Sequence, residues 1–268
     1  MVYLGIDIGG TKTLLAVFDE NGTITKKVKF LTDINYSQFL IDLKNNISSL
    51  DQNKFDKCGV AVPGLIDRKA GIAIAFGNLP WKNLSIKRDI EIITGCDTQI
   101  EHDACLGGLF EARQLDSSAQ KVLYLTISTG IGAGLIIDNN IDVNYTNSEP
   151  GQMEIYNDGR LEKWESFASG KAILKKFGKQ AKDIDDENSW SEIANNIALG
   201  CLELMAIIQP DVIIFGGSVG NYFERFENKL KKKLENHYNP LIKFPLLKKA
   251  TRADDCVILG CYELIKND

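Results

Sequence analysis

No stretch of this chain reaches the ~18 consecutive apolar residues needed to cross a bilayer. Its N-terminus carries no basic region followed by a cleavage site and enters a strand pattern at once. Together these absences argue against a membrane span and a secretory leader, and the cytoplasm is the expected compartment. The six cysteines (Cys58, Cys96, Cys105, Cys201, Cys256 and Cys261) include no CxxC pair. Reduced core cysteines are therefore expected in preference to disulfides or a zinc site. Positive charge is not in excess: 31 Lys and Arg stand against 36 Asp and Glu, a net charge of −5. That argues against nucleic acid as a partner. It does not argue against a small anion, because a glycine loop binds phosphate on an acidic protein too. A GxxxxGK[ST] loop is missing, and no GxGxxG joins a strand to a helix.

What is present is an ordinary globular composition, 44% hydrophobic and 25% charged over 268 residues. This is enough for one large domain or two of usual size, with a sizeable core. The opening VYLGIDIGGTKTLLAVFDENG reads as two apolar strands around a glycine turn. The same order recurs at Val122 in VLYLTISTGIGAGLIIDNN. DENG and DNN supply turn residues after each hairpin. The chain thus reads as two similar halves, each opening with a Gly-turn hairpin.

Between and after the hairpins, strands and helices alternate, which predicts an α/β fold. Tyr36 to Leu50 carries a helical stripe, KCGVAVPG and TQIEHD read as strands, and DACLGGLFEARQ reads as a helix. Gly107 and Gly108 in that helix predict close packing against a neighbour. SWSEIANNIALGCLELMAIIQP is the clearest helix, with Ser189 and Glu192 as a capping box and Pro210 as its stop. DVIIFGGSVG is a strand running into glycines. FERFENKLKKKLENHY is amphipathic, with Phe223, Phe226, Leu230 and Leu234 inside and a solvated lysine face. A final helix spans about Cys256 to Ile265.

Three glycine turns could aim backbone N–H groups at an anion: Gly9-Gly10-Thr11-Lys12-Thr13, Ser128-Thr129-Gly130-Ile131-Gly132 and Gly216-Gly217-Ser218. A single such hairpin is usually only a hairpin. Three together, with two in matching places of a repeat, point to phosphate. Asp7 ends a buried-looking strand beside the first turn. A carboxylate there is costly unless paired or near a cation, and hydrated Mg²⁺ is the natural partner beside phosphate loops. Alone, Asp7 would be read as capping its own turn.

LGIDIGGTKT, VLYLTISTGIGAG and PDVIIFGGSV resemble the phosphate-1, phosphate-2 and adenosine motifs of the actin-like ATPase superfamily, and more narrowly of the ROK family of sugar kinases. Their order and spacing match over nearly the whole chain. The resemblance implies two ribonuclease-H-like domains around an interdomain cleft holding ATP. It places them at residues 1–112, with 253–268 packing back as a terminal helix, and at 113–252. It implies transfer of the γ-phosphoryl group to a sugar hydroxyl, with ATP and Mg²⁺ as cofactors. Asp7, Gly9, Gly10, Thr11, Lys12, Thr13, Thr129, Gly130, Gly132, Gly216 and Gly217 are then nucleotide contacts, Asp7 holding Mg²⁺ through water.

IEHDACLGGLFEA resembles the family segment that begins Asn-Asp-Ala, making Asp103 the general base for the sugar hydroxyl. Without the resemblance Asp103 is a plain helix N-cap; the helix N-terminus would keep such a base ionised. Gly64 ends the strand that lines the sugar pocket. Asn78 lies in GNLPW, similar to the family's Asn-Leu-Pro-Gly-Trp. Glu149 and Gln152 lie in SEPGQM, similar to Gly-Glu-Leu-Gly-His-Met, and Glu165 lies in WESFASG. The resemblance makes these, with His102, sugar contacts.

Three departures stand out. The family's asparagine before the aspartate is His102. The histidine that binds sugar and zinc is Gln152. The cysteine trio is missing, since MEIYNDGRLEKW contains no Cys or His, so no structural zinc is expected. The expected substrate is a hexose, as in a glucokinase, or an N-acetylhexosamine, and a homodimer is one assembly the resemblance allows. A catalytically altered sugar-binding or regulatory protein is the alternative. Family repressors carry a helix-turn-helix domain ahead of the first phosphate motif, and only six residues precede Asp7 here.

Overall fold

A computed structural model describes residues 1–52, 54–115, 119–237 and 239–266. The chain forms two compact units, Met1–Phe110 with Asp255–Asp268, and Glu111–Asp254.

Unit 1 begins with β1 (Tyr3–Ile8), β2 (Lys12–Phe18) and β3 (Ile24–Leu31), followed by α1 (Tyr36–Ser48) and β4 (Lys57–Val62). A small antiparallel sheet of β5 (Gly64–Asp67), β6 (Ile72–Phe76) and β7 (Lys82–Leu84) comes next. Then follow α2 (Ile86–Thr94), β8 (Asp97–His102) and α3 (Asp103–Arg113). The main sheet has the order β3-β2-β1-β4-β8. β1 runs antiparallel to β2 and parallel to β4, and β4 runs parallel to β8. Leu4, Ile6 and Ile8 join Phe39 and Leu43 of α1 and Ile86 and Ile90 of α2 in one core.

Unit 2 opens with β9 (Lys121–Ile127), β10 (Ile131–Ile137) and β11 (Asn140–Ile141). A hairpin of β12 (Glu154–Asn157) and β13 (Arg160–Lys163) leads to α4 (Trp164–Ala168), α5 (Gly170–Phe177) and α6 (Glu187–Ile208). The unit closes with β14 (Val212–Gly216), α7 (Gly217–Gly220), α8 (Phe223–Asn236) and β15 (Leu246–Lys249). Its sheet order, β11-β10-β9-β14-β15, reproduces that of unit 1 strand for strand. In each sheet an antiparallel hairpin is followed by parallel strands on the same side. The hairpin repeat of the sequence is thus a repeat of architecture.

The chain then returns to unit 1 as α9 (Cys256–Ile265). This helix presses onto β1 and β4 because those strands carry glycine where it crosses. A Cβ on Gly59 would stand 2.3 Å from the Cys261 carbonyl oxygen. The close approach at α3 comes from the same helix, where a Cβ on Gly260 would stand 2.1 Å from the Leu106 carbonyl oxygen. All six cysteines are buried.

α8 buries Phe223, Phe226, Leu230 and Leu234, as its stripe predicts; Tyr238, in the same segment, lies outside the described residues. One helix start differs from expectation. α6 begins at Glu187, capped by Asp186, whose carboxylate accepts the Ser189 amide at 2.8 Å. Ser189 is therefore inside the helix, and the Ser189–Glu192 capping box does not form. An aspartate three residues upstream supplies a stronger acceptor, and Glu192 pairs with Lys176 instead. α6 has the length and composition of a membrane span, and it packs Trp190, Ile193, Ile197, Cys201 and Met205 into the unit 2 core.

Candidate functional site

In unit 1 the first glycine turn is braced from a neighbouring strand. The Gly9 amide donates to the Lys12 carbonyl at 3.0 Å, and the Thr32 amide to the Thr11 carbonyl at 2.9 Å. The Thr32 hydroxyl donates to the Gly9 carbonyl at 2.8 Å and lies 2.8 Å from the Thr13 hydroxyl. Thr13 is wholly buried and spent on this brace, whereas Thr11 and Lys12 are exposed. Gly10 lies against Asn78: a Cβ on Gly10 would stand 2.7 Å from the Asn78 Cβ. Asn78 follows β6, whose Phe76 pairs with Gly64 of β5. Gly64 holds φ +126°, with the Ala75 carbonyl oxygen 2.3 Å from where a Cβ would be, so only glycine fits there.

Asp7 lies at the C-terminal end of β1, and Asp103 is the first residue of α3 directly after β8. The two carboxylates act on each other. Burial first, and then the charge of Asp103, push the Asp7 carboxyl up to about 7, against a smaller opposing pull from Lys29. This pairing of like charges is what an oxygen-binding cation would relieve. Asp103 Oδ1 accepts the Ala104 amide at 2.7 Å and lies 3.5 Å from His102 Nε2. His102 is buried.

Two residues behind this cluster carry no signal in the sequence. Glu101 reads as a strand charge and Arg68 as a loop charge, yet they form a fork in which Glu101 is buried and Arg68 partly so. Arg68 Nε donates to Glu101 Oε2 at 2.7 Å, and Arg68 Nη2 to Glu101 Oε1. Only the register of β8 against β4 and the turn after β5 bring them together. Thr32 was equally silent, because its contact with Gly9 depends on the pairing of β2 with β3.

In unit 2 the second and third glycine turns converge. Ser128 and Ser218 hydroxyl oxygens lie 3.4 Å apart. A Cβ on Gly217 would stand 2.6 Å from the Ile127 carbonyl oxygen, and one on Gly216 would stand 2.2 Å from the Tyr124 hydroxyl. The Gly170 amide, opening α5, donates to the Ser128 carbonyl at 2.7 Å. Thr129 is exposed at the apex, and Gly132 follows on β10.

Glu165 lies at this second turn. Its Oε2 faces the Ile131 amide at 3.4 Å and would be 2.6 Å from a Cβ on Gly130. Its Oε1 accepts Gln152 Nε2 at 2.6 Å. Glu149 opens the short turn that carries Gln152, its carbonyl accepting the Gln152 amide at 3.0 Å. It lines an apolar cavity of about 280 Å³ with Leu123, Leu135, Tyr145, Met153 and Ile207.

The β12–β13 hairpin occupies the stretch where the motif comparison leaves no zinc ligands. Among the described residues no group of three or more His, Cys, Asp or Glu side chains is arranged to hold a metal. The stretch is anchored by Trp164, fully buried, whose Nε1 donates to the Asn196 carbonyl at 3.0 Å. Trp164 fits because α6 carries Gly200 beneath its ring.

A model of the ROK family matches residues 3–268. The chain belongs to the ROK family. It is 27% identical over 303 residues to the N-acetyl-D-glucosamine kinase of Histophilus somni, an alignment that covers 98% of each chain. It is 26% identical over 255 residues to the xylose repressor of Caldicellulosiruptor bescii, covering 78% of this chain and 62% of the repressor. Among solved structures, a ROK family glucokinase from Streptomyces griseus, in complex with glucose and AMPPNP, superposes with a TM-score of 0.85 at 20% identity, covering 100% of both chains. The fold is thus the α/β actin-like ATPase fold of ROK sugar kinases. The ROK relatives include both sugar kinases and repressors.

Proposed function

We propose that this chain is an ATP-dependent sugar kinase acting on a hydroxyl of a hexose or N-acetylhexosamine. The observation that carries the reading is that Asp7 near the end of β1 and Asp103 just after β8 flank the end of β4, near enough for the charge of Asp103 to raise the Asp7 carboxyl, beside a glycine turn that touches Asn78. Two carboxylates held in mutual repulsion cost stability, and phosphoryl transfer has a use for each of them. Asp7 fits a hydrated Mg²⁺, which when bound would offset phosphate charge. Asp103 accepts the hydroxyl proton while the sugar oxygen bonds to the γ-phosphorus, the bond to the β-phosphate oxygen breaks, and ADP leaves.

The remaining residues bind and orient. Main-chain N–H groups of Gly10 and Thr11 and of Thr129, Gly130 and Gly132 hold phosphate oxygens, while the Gly9 amide closes the turn on the Lys12 carbonyl, Lys12 is a nearby cation and Thr13 braces the turn. Gly216 and Gly217 face the adenosine. Asn78 and His102 of unit 1, behind the bend at Gly64, and Glu149, Gln152 and Glu165 of unit 2 serve the sugar hydroxyls, since a carboxylate accepts from more than one hydroxyl.

The reading is tested by ADP release from ATP with glucose, fructose, mannose and the N-acetylhexosamines. Asp103→Asn should abolish sugar-dependent release while nucleotide still binds; full activity in that variant sinks the reading. A sugar-binding regulatory protein is the second reading. It is favoured by His102 and Gln152 in place of the family asparagine and histidine, and by the similarity to a xylose repressor. Sugar binding by calorimetry without any ADP release would select it.

A further inference from the structure

Glu101 is a carboxylate only 5% exposed. A buried charge of that kind is tolerable only when it is paired with good geometry. Arg68 supplies that pair with its planar fork, which meets both carboxylate oxygens. The same Oε1 that takes Arg68 Nη2 also accepts the amide of His102 at 2.6 Å. The next residue is Asp103, where β8 ends and α3 begins.

Carboxylates therefore hold two peptide groups near Asp103, the Glu101–His102 peptide and the Asp103–Ala104 peptide. Glu101 holds the amide of His102, and Asp103 itself holds the amide of Ala104. These two restraints flank the His102–Asp103 peptide, from which the Asp103 side chain departs. Arg68 reaches this point from the turn after β5, close in sequence to Gly64 and far from β8. The strand register adds a further constraint, since Glu101 pairs with Ala61 of β4, and Ala61 pairs with Asp7 of β1. Glu101 thus stands in one row with Asp7 across three strands.

We propose that Arg68, acting through Glu101 and the His102 amide, is a positioning residue that sets the orientation of the Asp103 carboxylate. The proposal rests on the reading of Asp103 as the base. A small misplacement of a base is costly in rate, and a 1 Å error costs about 100-fold. The alternative is that the fork only holds the fold together, and the two roles make different demands on a double variant. Removing one partner of a buried pair leaves a stranded charge and destabilises strongly, whereas replacing both with apolar residues is close to neutral.

The experiment compares Arg68→Met, Arg68→Met/Glu101→Leu, Arg68→Lys and Asp103→Asn by thermal melting and by ADP release with the best acceptor from the sugar panel. Arg68→Met is expected to melt early and turn over slowly. The double variant should recover its melting temperature yet keep kcat down by about 10- to 100-fold, with KM for ATP little changed. Recovery of both melting temperature and kcat in the double variant overturns the proposal. Arg68→Lys keeps the charge and loses the fork, so it serves even where the other variants do not fold. A kcat lowered at least about fivefold with an unchanged melting temperature supports positioning; a wild-type kcat overturns it. Asp103→Asn separates the two claims, because full activity there removes the base assignment itself, whatever Arg68 does.

Discussion

Gly10 and Asn78 are in direct contact across the first glycine turn, so close that a methyl group on Gly10 would stand 2.7 Å from the Asn78 Cβ. The turn assigned to phosphate and the residue assigned to sugar thus share one surface in unit 1. Gly10→Ala must move either the turn or the Asn78 backbone. The Asn78 Cβ is not the end of a flexible side chain, so stability falls as well. We expect kcat/KM to fall by about tenfold or more, with a lowered melting temperature and a protein still folded under assay conditions. Unchanged kinetics would separate Asn78 from the reacting sugar.

Asp7 should leave its mark on the pH dependence of stability. Its folded pKa is raised to about 7 from an ordinary 3.8, chiefly by burial and then by Asp103. The folded state holds this proton more tightly than the unfolded chain. The stabilisation it brings is complete below the unfolded pKa and is lost as pH rises through about 7. Asp7→Asn removes that loss. In metal-free buffer the variant should be the more stable protein at pH 8, by on the order of 2 kcal/mol once partial solvent access is allowed for. At pH 4 the two should melt nearly alike. The same advantage at both pH values would contradict a buried, titrating Asp7.

Glu165 couples the second glycine turn to the segment carrying Gln152. A Cβ on Gly130 would stand 2.6 Å from Glu165 Oε2, and that oxygen ends a mobile side chain that can swing away. Gly130→Ala should therefore fold normally and displace the carboxylate from the Ile131 amide and Gln152. A rise of about tenfold in KM for the sugar is expected, read from initial rates at saturating ATP. An unaffected sugar KM would argue that Glu165 does not meet the substrate.

Gly200 offers a test of the segment that lacks zinc ligands. A Cβ there would stand 2.1 Å from the Trp164 ring, which is fully buried and cannot yield easily. Gly200→Ala should cost about 3 kcal/mol by overpacking, measured by chemical denaturation. A silent substitution would mean that Trp164 does not anchor α4.

Much of the fold is legible in the sequence because it is written in short patterns. The two hairpins, the stripe of α8 and the final helix need only the alternation or spacing of apolar residues. The family was legible for the same reason, since its motifs are contiguous runs at strand ends. The start of α6 differs from the pattern at Ser189 because two acceptors compete there, and Asp186 sits at the extended position from which a side chain reaches the first amides of the helix. At the candidate site, the individual residues were visible and their groupings were not. Thr32 beneath Gly9, and Arg68 on Glu101, lie far apart along the chain and belong to no motif.

The order of residues alone determined where strands turn and helices begin, and which carboxylates and glycines stand at those ends, because those are local matters of dihedral preference and apolar period. Tertiary structure decided which of them meet. Register across β1, β4 and β8 placed Glu101 in line with Asp7, and packing of the β5 turn brought Arg68 onto Glu101. Such contacts depend on how whole strands align and stack, so the charges of Asp7, Asp103, Glu101 and Arg68 acquire their chemical meaning only once the sheet has assembled.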